Sequence, residues 1–329
     1  MLVLGHDEVE ALLDLDELID ALAAAMVDLS AGRASVPERV AAFVPEHDGL
    51  LGAMPGYIPS AGVLMSKLVT LFPHNDGVDT PTHQAVIATF DPATGVPMAL
   101  LDGTAITAAR TGAGSALSAR LLAREDAAVL AVIGTGVQAR SHIAAMPRVR
   151  PIREIRVAGR DPAKAAALAA FANGVAGDIE VRVASSYAEA MDGADIVCAT
   201  THAAEPVVRR EWLSPGAHVT SVGYNAAGRE VDAQVVVDAL VCVETRSAAL
   251  APLPAGSNDL LLPIRDGLIT ADHVHAELGE LIAGTRPGRT APEQLTFYKS
   301  VGVAAQDAAA AALVIAAAER RGIGTVITI

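Results

Sequence analysis

Three cationic side chains occur early in the chain in settings that could hold an anionic substrate. Lys67 stands inside the strand-like run LMSKLVTLF, which would bury much of its stem, and Arg39 in VPERV and Arg110 in ITAARTGAG flank it in sequence. Singly, each reads as a surface or salt-bridge residue. Together they suit one chemistry: a guanidinium fork holds a carboxylate, and a carbonyl or imine undergoing reduction needs a proton donor beside it.

A second stretch indicates the source of the reducing equivalent. VLAVIGTGVQARSHIAAM, residues 129 to 146, is a buried-strand run followed by a G-x-G-x-x-A turn and a helical segment. Gly134 permits the tight turn, and Gly136 lets the backbone approach a pyrophosphate. Ala139 keeps the helix close to the strand, and that helix offers free N–H groups and a positive dipole end to an anion. The next strand ends VAGRDPAKA. An acidic residue at that tip would accept hydrogen bonds from the ribose 2′-OH of NAD, whereas an arginine pairs with the 2′-phosphate of NADP. Arg160 and Asp161 stand there side by side, and Asp161 before Pro162 is also a natural helix N-cap. On this ground NADPH is favoured over NADH.

The elements that must position these groups fall into two patterns. From Ala127 onward, short apolar runs alternate with Ala-rich helical stretches. The strands expected are 128 to 133, 154 to 159, 179 to 184, 195 to 200, 218 to 223 and 239 to 244. Their continuous apolarity predicts a parallel sheet covered on both faces, an α/β fold of the doubly wound Rossmann type. Before it, helical signals in DEVEALLDLDELIDALAAAMVDLSAG give way to extended segments, GVLMSKLVTLF and HQAVIATFDPATGVPMALL, the latter turning at 91 to 95. This is an α+β domain. ALSARLLA leads out of it, HVHAELGEL reads as a helix, and VGVAAQDAAAAALVIAAAERRG forms a helix able to return to the first domain. The expected division is 1–118 plus 299–329 for substrate binding and dimerisation, and 119–298 for the dinucleotide.

Composition agrees with a small-molecule enzyme. The chain has 329 residues, 52% of them hydrophobic, enough for two cores. Its 38 acidic against 24 basic residues argue against a nucleic-acid partner, which draws on clustered Lys and Arg. No uninterrupted apolar run reaches the roughly 18 residues of a membrane helix, and MLVLGHDEVEALL has neither a basic start nor a cleavage site, so a cytoplasmic location is expected. Cys198 and Cys242 lie in strand-like runs and read as reduced core residues. His273 and His275 lack a convincing set of metal ligands, His83 reads as a hydrogen-bonded neighbour of the site, and Trp212 reads as packing.

Ten stretches, taken in order, resemble the ornithine cyclodeaminase/μ-crystallin family. They are KLVT (67–70), PTHQAV (81–86), DGTAITAARTGAGSALSA (102–119), IGTGVQARSH (133–142), GADIV (193–197), EPVV (205–208), PGAHVTSVG (215–223), REVD (229–232), HAELGELIAG (275–284) and YKSVGVAAQD (298–307). The resemblance implies a Rossmann domain inserted into a substrate domain, and a homodimer formed through the substrate domains. It makes Arg39 and Arg110 the holders of a substrate carboxylate and places Lys67 beside the reacting carbon. Thr82, Arg110 and Thr111 match positions touching the cofactor. Gly134, Gly136, Val137 and Gln138 match the pyrophosphate loop, Arg160 matches the 2′-phosphate reader, and Thr201, Val222 and Ser300 match residues near the adenosine or nicotinamide.

One departure bears on the reaction. Where cyclodeaminases carry an aspartate that handles protons on the substrate amine, this chain reads VGYNAAGREVD with Asn225. An amide donates and accepts hydrogen bonds but is no general base. Asp232 in the same segment reads as a helix cap. The expected function is therefore NAD(P)H-dependent reduction of a small 2-imino acid or cyclic ketimine to an L-amino acid, or the reverse dehydrogenation, with Asn225 orienting the substrate nitrogen. The alternatives are ornithine or lysine cyclodeamination with release of ammonia, and a non-catalytic NADPH-binding role of the crystallin kind.

Overall fold

The computed structural model describes residues 1–75 and 80–328. The chain divides into two compact units, Met1–Arg110 with Val303–Ile329, and Thr111–Gly302.

The first unit starts with β1 (Leu2–Leu4), α1 (His6–Leu12) and α2 (Leu15–Ser30), followed by β2 (Val40–Val44), β3 (Gly49–Ile58), β4 (Val63–Leu71), β5 (His83–Phe90) and β6 (Pro97–Asp102). Asp14 caps α2 by accepting from the Asp16 and Glu17 amides, and the helical spacing of Leu18, Leu22, Ala25 and Met26 puts them all on its buried face. After β6 the chain enters α3 (Gly103–Leu122), whose start is fixed by Asp102 Oδ1 accepting from the Ala105 amide at 2.7 Å. The same unit is completed by α11 (Ala304–Arg321) and β15 (Thr325–Val326). Its sheet has the order β15-β1-β6-β5-β4-β3-β2, antiparallel except for β1 with β6.

Because side chains alternate across a strand, the sheet has two distinct faces. Gly56 meets α11 so closely that a Cβ on it would lie 3.2 Å from Ala304 Cβ. Met54, two residues earlier, therefore shares the face covered by α11, and the register pairs it with Lys67, which in turn pairs with Ile87. The opposite face carries the register row Val40, Ala53, Leu68 and Val86.

The second unit runs β7 (Val129–Ile133), α4 (Val137–Ala145), β8 (Glu154–Ala158), α5 (Pro162–Val175), β9 (Glu180–Val183), α6 (Tyr187–Met191), β10 (Ile196–Ala199) and β11 (His218–Ser221). It continues with α7 (Ala233–Asp238), β12 (Leu240–Val243), α8 (Arg246–Ala249), α9 (Asn258–Arg265), β13 (Val274–Glu277), α10 (Leu278–Ile282) and β14 (Thr296–Lys299). All eight strands are parallel, in the order β13-β12-β14-β11-β10-β7-β8-β9. This is the doubly wound fold expected, and all six expected strands form.

Two readings are corrected and one strand is added. HVHAELGEL is not one helix but β13 followed by α10, because Val274 and Ala276 alternate inward as strand residues before the helix starts at Leu278. The helix foreseen at ALSARLLA begins thirteen residues earlier, at Gly103, once Asp102 caps it. TFYK forms β14 in the middle of the sheet, a strand that the charge of Lys299 disguises. Cys198 and Cys242 are free and buried, and Asp232 caps α7 through the Gln234 amide. Trp212 packs at the margin of the second core, with Arg209 against its ring.

Candidate active site

Lys67 lies in the middle of β4 on the α11-covered face and is 2% exposed. Its ammonium forms an ion pair with Asp307 Oδ2 at 2.8 Å and donates to Thr107 Oγ1 at 3.4 Å. Thr107 and Arg110 are three residues apart on α3 and so share a helical face. Arg110, 6% exposed, donates from Nε to Asp307 Oδ1 at 3.1 Å and from Nη1 to Gln306 Oε1 at 3.2 Å. A strand, a helix and the first turn of α11 thus converge on one carboxylate, which gives one oxygen to each cation.

Burial pulls the Lys67 ammonium down and Asp307 pushes it back up, while Arg110 and Arg39 lower it further, leaving it at about 8. Burial alone would raise Asp307, but Lys67 and Arg110 override it and hold the carboxylate below its ordinary range. Arg39, in the segment before β2, is half-buried, and its charge is felt at Lys67. Two cations sharing one anion, with a third nearby, leave a surplus of positive charge. The ammonium has a third N–H, and the guanidinium has further N–H groups, to offer a ligand.

In the second unit the predicted cofactor residues gather at one edge of the sheet. Gly134 follows β7, Arg160 follows β8, Thr201 follows β10, Val222 follows β11 and Ser300 follows β14, all at the C-terminal ends of parallel strands. Strand order reverses between β7 and β10, and such crevices are where doubly wound sheets bind ligands. Gly134 has φ +118°, and a Cβ there would lie 2.6 Å from Thr200 Oγ1, so the turn demands glycine. Gly136 is the N-cap of α4, makes no side-chain cap bond and has nothing within 4 Å of where its Cβ would be. Val137 is 62% exposed beside it, and Gln138 Oε1 is turned to Ser141 Oγ. A helix N-terminus without a side-chain cap, with open space beside its glycine, fits a pyrophosphate. His142 adds no charge there: it is fully buried against Ser115 Oγ and Gln138 O, and burial takes it down to about 4.

Several predicted residues are engaged within the fold. Asp161 caps α5, accepting from the Ala163 and Lys164 amides, while Arg160 beside it is exposed. Thr201 donates through its amide and hydroxyl to Glu230, and Ser300 Oγ donates to Glu244 at 2.6 Å. Asn225 ties its loop to the one after β10, Nδ2 donating to His202 O while Oδ1 accepts from the Ala227 and Gly228 amides of its own loop. Val222 donates its amide to Ala199 O. Thr111, at the start of the second unit, is buried. In the first unit, Thr82 O accepts from the Phe72 amide, and Thr82 Oγ1 lies 3.3 Å from the exposed His83 Nδ1. His273 and His275 bond the carbonyls of Val236 and Pro287. Among the described residues no group of three His, Cys, Asp or Glu could hold a metal, and no helix is long and apolar enough to cross a membrane.

Sequence reasoning missed the buried charges that organise both places. In the first unit these are Asp307 and, beside it, the neutral amide of Gln306. In the second, Glu230 accepts from Ser221 Oγ and the Gly223 amide, and Lys299 Nζ binds Asp259 Oδ2 at 2.8 Å and Gly223 O at 2.6 Å, so the loop after β11 is held from beneath. Charges embedded in apolar runs, TFYKSVG and GVAAQDAAAA, were the available signal.

The sequence profile of the ornithine cyclodeaminase/mu-crystallin family matches residues 1–322. The ketimine reductase mu-crystallin of Mus musculus is 38% identical over 301 residues, 90% of each chain. The structure of Thermococcus litoralis Delta(1)-pyrroline-2-carboxylate reductase, solved in complex with NADH and L-proline, superposes with a TM-score of 0.95 at 36% identity, covering 99% of this chain and 100% of that one. An archaeal alanine dehydrogenase dimer with bound NAD superposes with a TM-score of 0.90 at 30% identity, covering 100% of this chain and 99% of that one. The match runs through the Lys67–Arg110 cluster and the glycine turn alike, and the chain belongs to the ornithine cyclodeaminase/mu-crystallin family.

Proposed function

We propose that this chain, an NAD(P)H-dependent oxidoreductase of its family, reduces a small 2-imino acid or cyclic ketimine to the L-amino acid and can run the reverse dehydrogenation. The observation that carries the reading is the buried cluster of Lys67, Arg110 and Asp307, which keeps a positive surplus for a substrate carboxylate. The relatives named above are a ketimine reductase, a pyrroline-2-carboxylate reductase and an alanine dehydrogenase; all three names point to a C–N bond, and the last two place it next to a carboxylate. Arg110 and Arg39 hold the carboxylate and so fix the α-carbon, and this orientation supplies much of the rate. When bound, a reduced nicotinamide would supply the hydride. Lys67, ammonium at neutral pH, provides the proton that the nitrogen gains, directly or through a water. Asn225 stands where a general base would be needed and is an amide, which favours reduction over cyclodeamination.

Gly134, Gly136, Val137 and Gln138 would hold the pyrophosphate, with Thr111, Thr201, Val222 and Ser300 of the same unit along the rest of the cofactor. NADPH is the preferred form, because exposed Arg160 stands where it can pair with a 2′-phosphate, while Asp161 turns its Oδ1 to the cap of α5.

The active form is a homodimer. On the sheet face away from α11, Val40, Leu51, Leu64, Leu68 and Val86 are 66, 43, 37, 38 and 42% exposed, an apolar face suited to a second copy. Light scattering should give twice the chain mass for the wild type and the monomer mass for Leu68→Glu. A monomeric wild type would reject this assembly.

The functional test is NADPH oxidation with cyclic 2-imino acids, and with pyruvate, glyoxylate or oxaloacetate plus ammonia or methylamine. Stoichiometric NADPH loss is expected with at least one. Ammonia release from ornithine without net cofactor consumption would make the chain a cyclodeaminase, and silence throughout would leave a binding protein.

A further inference from the structure

The two residues that sequence reasoning passed over at Lys67 and Arg110 are consecutive, Gln306 and Asp307, in the first turn of α11. Both are 0% exposed in a helix that otherwise buries mostly alanine. Asp307 sets the distance between the two cations, with Oδ2 on Lys67 at 2.8 Å and Oδ1 on Arg110 Nε at 3.1 Å. The positive end of α11 steadies that carboxylate. Gln306 Oε1 accepts from Arg110 Nη1 at 3.2 Å and from the Val303 amide at 3.2 Å. Both partners are donors, so the atom they touch is the amide oxygen and the rotamer is fixed. Its Nε2 has no acceptor among the described residues. A buried amide with an unmet donor is costly to the fold, so its grip on Arg110 is the contribution that explains it.

We propose that Asp307 and Gln306 are positioning residues for the reduction: Asp307 aims the Lys67 ammonium and the Arg110 guanidinium at one substrate, and Gln306 locks Arg110 in the carboxylate-binding orientation. The inference rests on the reductase reading and assigns the two residues separable effects. Asp307 governs turnover and its pH dependence through Lys67. The charged groups acting on that lysine are Asp307 from α11, Arg110 from α3 and Arg39 from the segment before β2. Asp307 alone among them favours the ammonium. Gln306 governs how well the carboxylate is held, and so KM.

The test is kcat and KM against pH for the wild type, Asp307→Asn and Gln306→Met, with NADPH binding and thermal melting measured on each. The wild type should lose kcat above about pH 8. In Asp307→Asn kcat should fall at least tenfold and the alkaline limb should move down by about one pH unit or more, as expected when an adjacent opposite charge is removed. Gln306→Met should raise KM for the imine about tenfold with a smaller change in kcat. An active wild type whose limb stays in place in Asp307→Asn, or whose KM is unmoved in Gln306→Met, overturns the proposal. If Asp307→Asn does not accumulate as folded protein, the KM of Gln306→Met decides. An inactive wild type defeats the reductase reading instead.

Discussion

Replacing Lys67 with methionine is expected to lower kcat for imine reduction about a thousandfold while leaving NADPH affinity within about twofold of the wild type. The magnitude is the middle of the range for a positioned acid or base, roughly 10² to 10⁴. Methionine keeps most of the apolar stem in β4, so the loss reports the ammonium. The fold should survive, because Asp307 retains its hydrogen bond from Arg110 Nε at 3.1 Å and is not left as an unpaired buried charge. The wild-type pH profile gives an independent check. Burial and the neighbouring arginines bring the lysine down to about 8, so its acid form predominates below that pH and is depleted above it. Reduction should therefore decline above about pH 8, and the methionine variant should lack that limb. Stopped-flow or steady-state NADPH oxidation measures both. Near-normal turnover in the variant would remove Lys67 from the chemistry.

Much of this arrangement is legible in the sequence, and the parts that are not share one cause. The parallel strands were readable because residues such as Ile196, Val197 and Ala199 are buried on both faces and leave a continuous apolar run. β14 was hidden because Lys299 breaks that rule, and it does so safely only through Asp259, forty residues distant in the chain. The same holds at the site. Lys67 stood out as a charge inside a strand pattern, and Arg110 and Arg39 made sense beside it as a carboxylate clamp. Asp307 and Gln306 did not stand out, since polar residues in an Ala-rich helix look like a solvated face. That they face inward depends on how α11 packs on β3 and β4, a long-range fact that local periodicity does not encode. Asn225 shows the converse: its type was visible, but its two bonds to its own loop and its one to the loop after β10 were not.

Cofactor choice provides the second large effect. Arg160→Ser should raise KM for NADPH about 10- to 100-fold and change KM for NADH by no more than about twofold. A hydrogen bond to a charged group contributes roughly 1.5–3 kcal/mol, and 1.4 kcal/mol is a factor of ten. The exposure of Arg160 argues for the lower part of that range, because water screens the pair. Asp161 sharpens the expectation. An aspartate could serve NAD by accepting from the ribose hydroxyl, but this one accepts from the Ala163 amide at 2.8 Å and the Lys164 amide at 3.2 Å. Both bonds use Oδ1, so swinging this carboxylate round to a ribose would strain a cap worth about 1 kcal/mol. Arg160→Ser should therefore lose NADPH without gaining NADH, and its best catalytic efficiency with either cofactor should fall below that of the wild type with NADPH. Steady-state kinetics with both cofactors at saturating imine decides the matter. A wild type that already prefers NADH, or a variant whose NADPH affinity is unchanged, would show that the 2′-phosphate is read elsewhere or not at all.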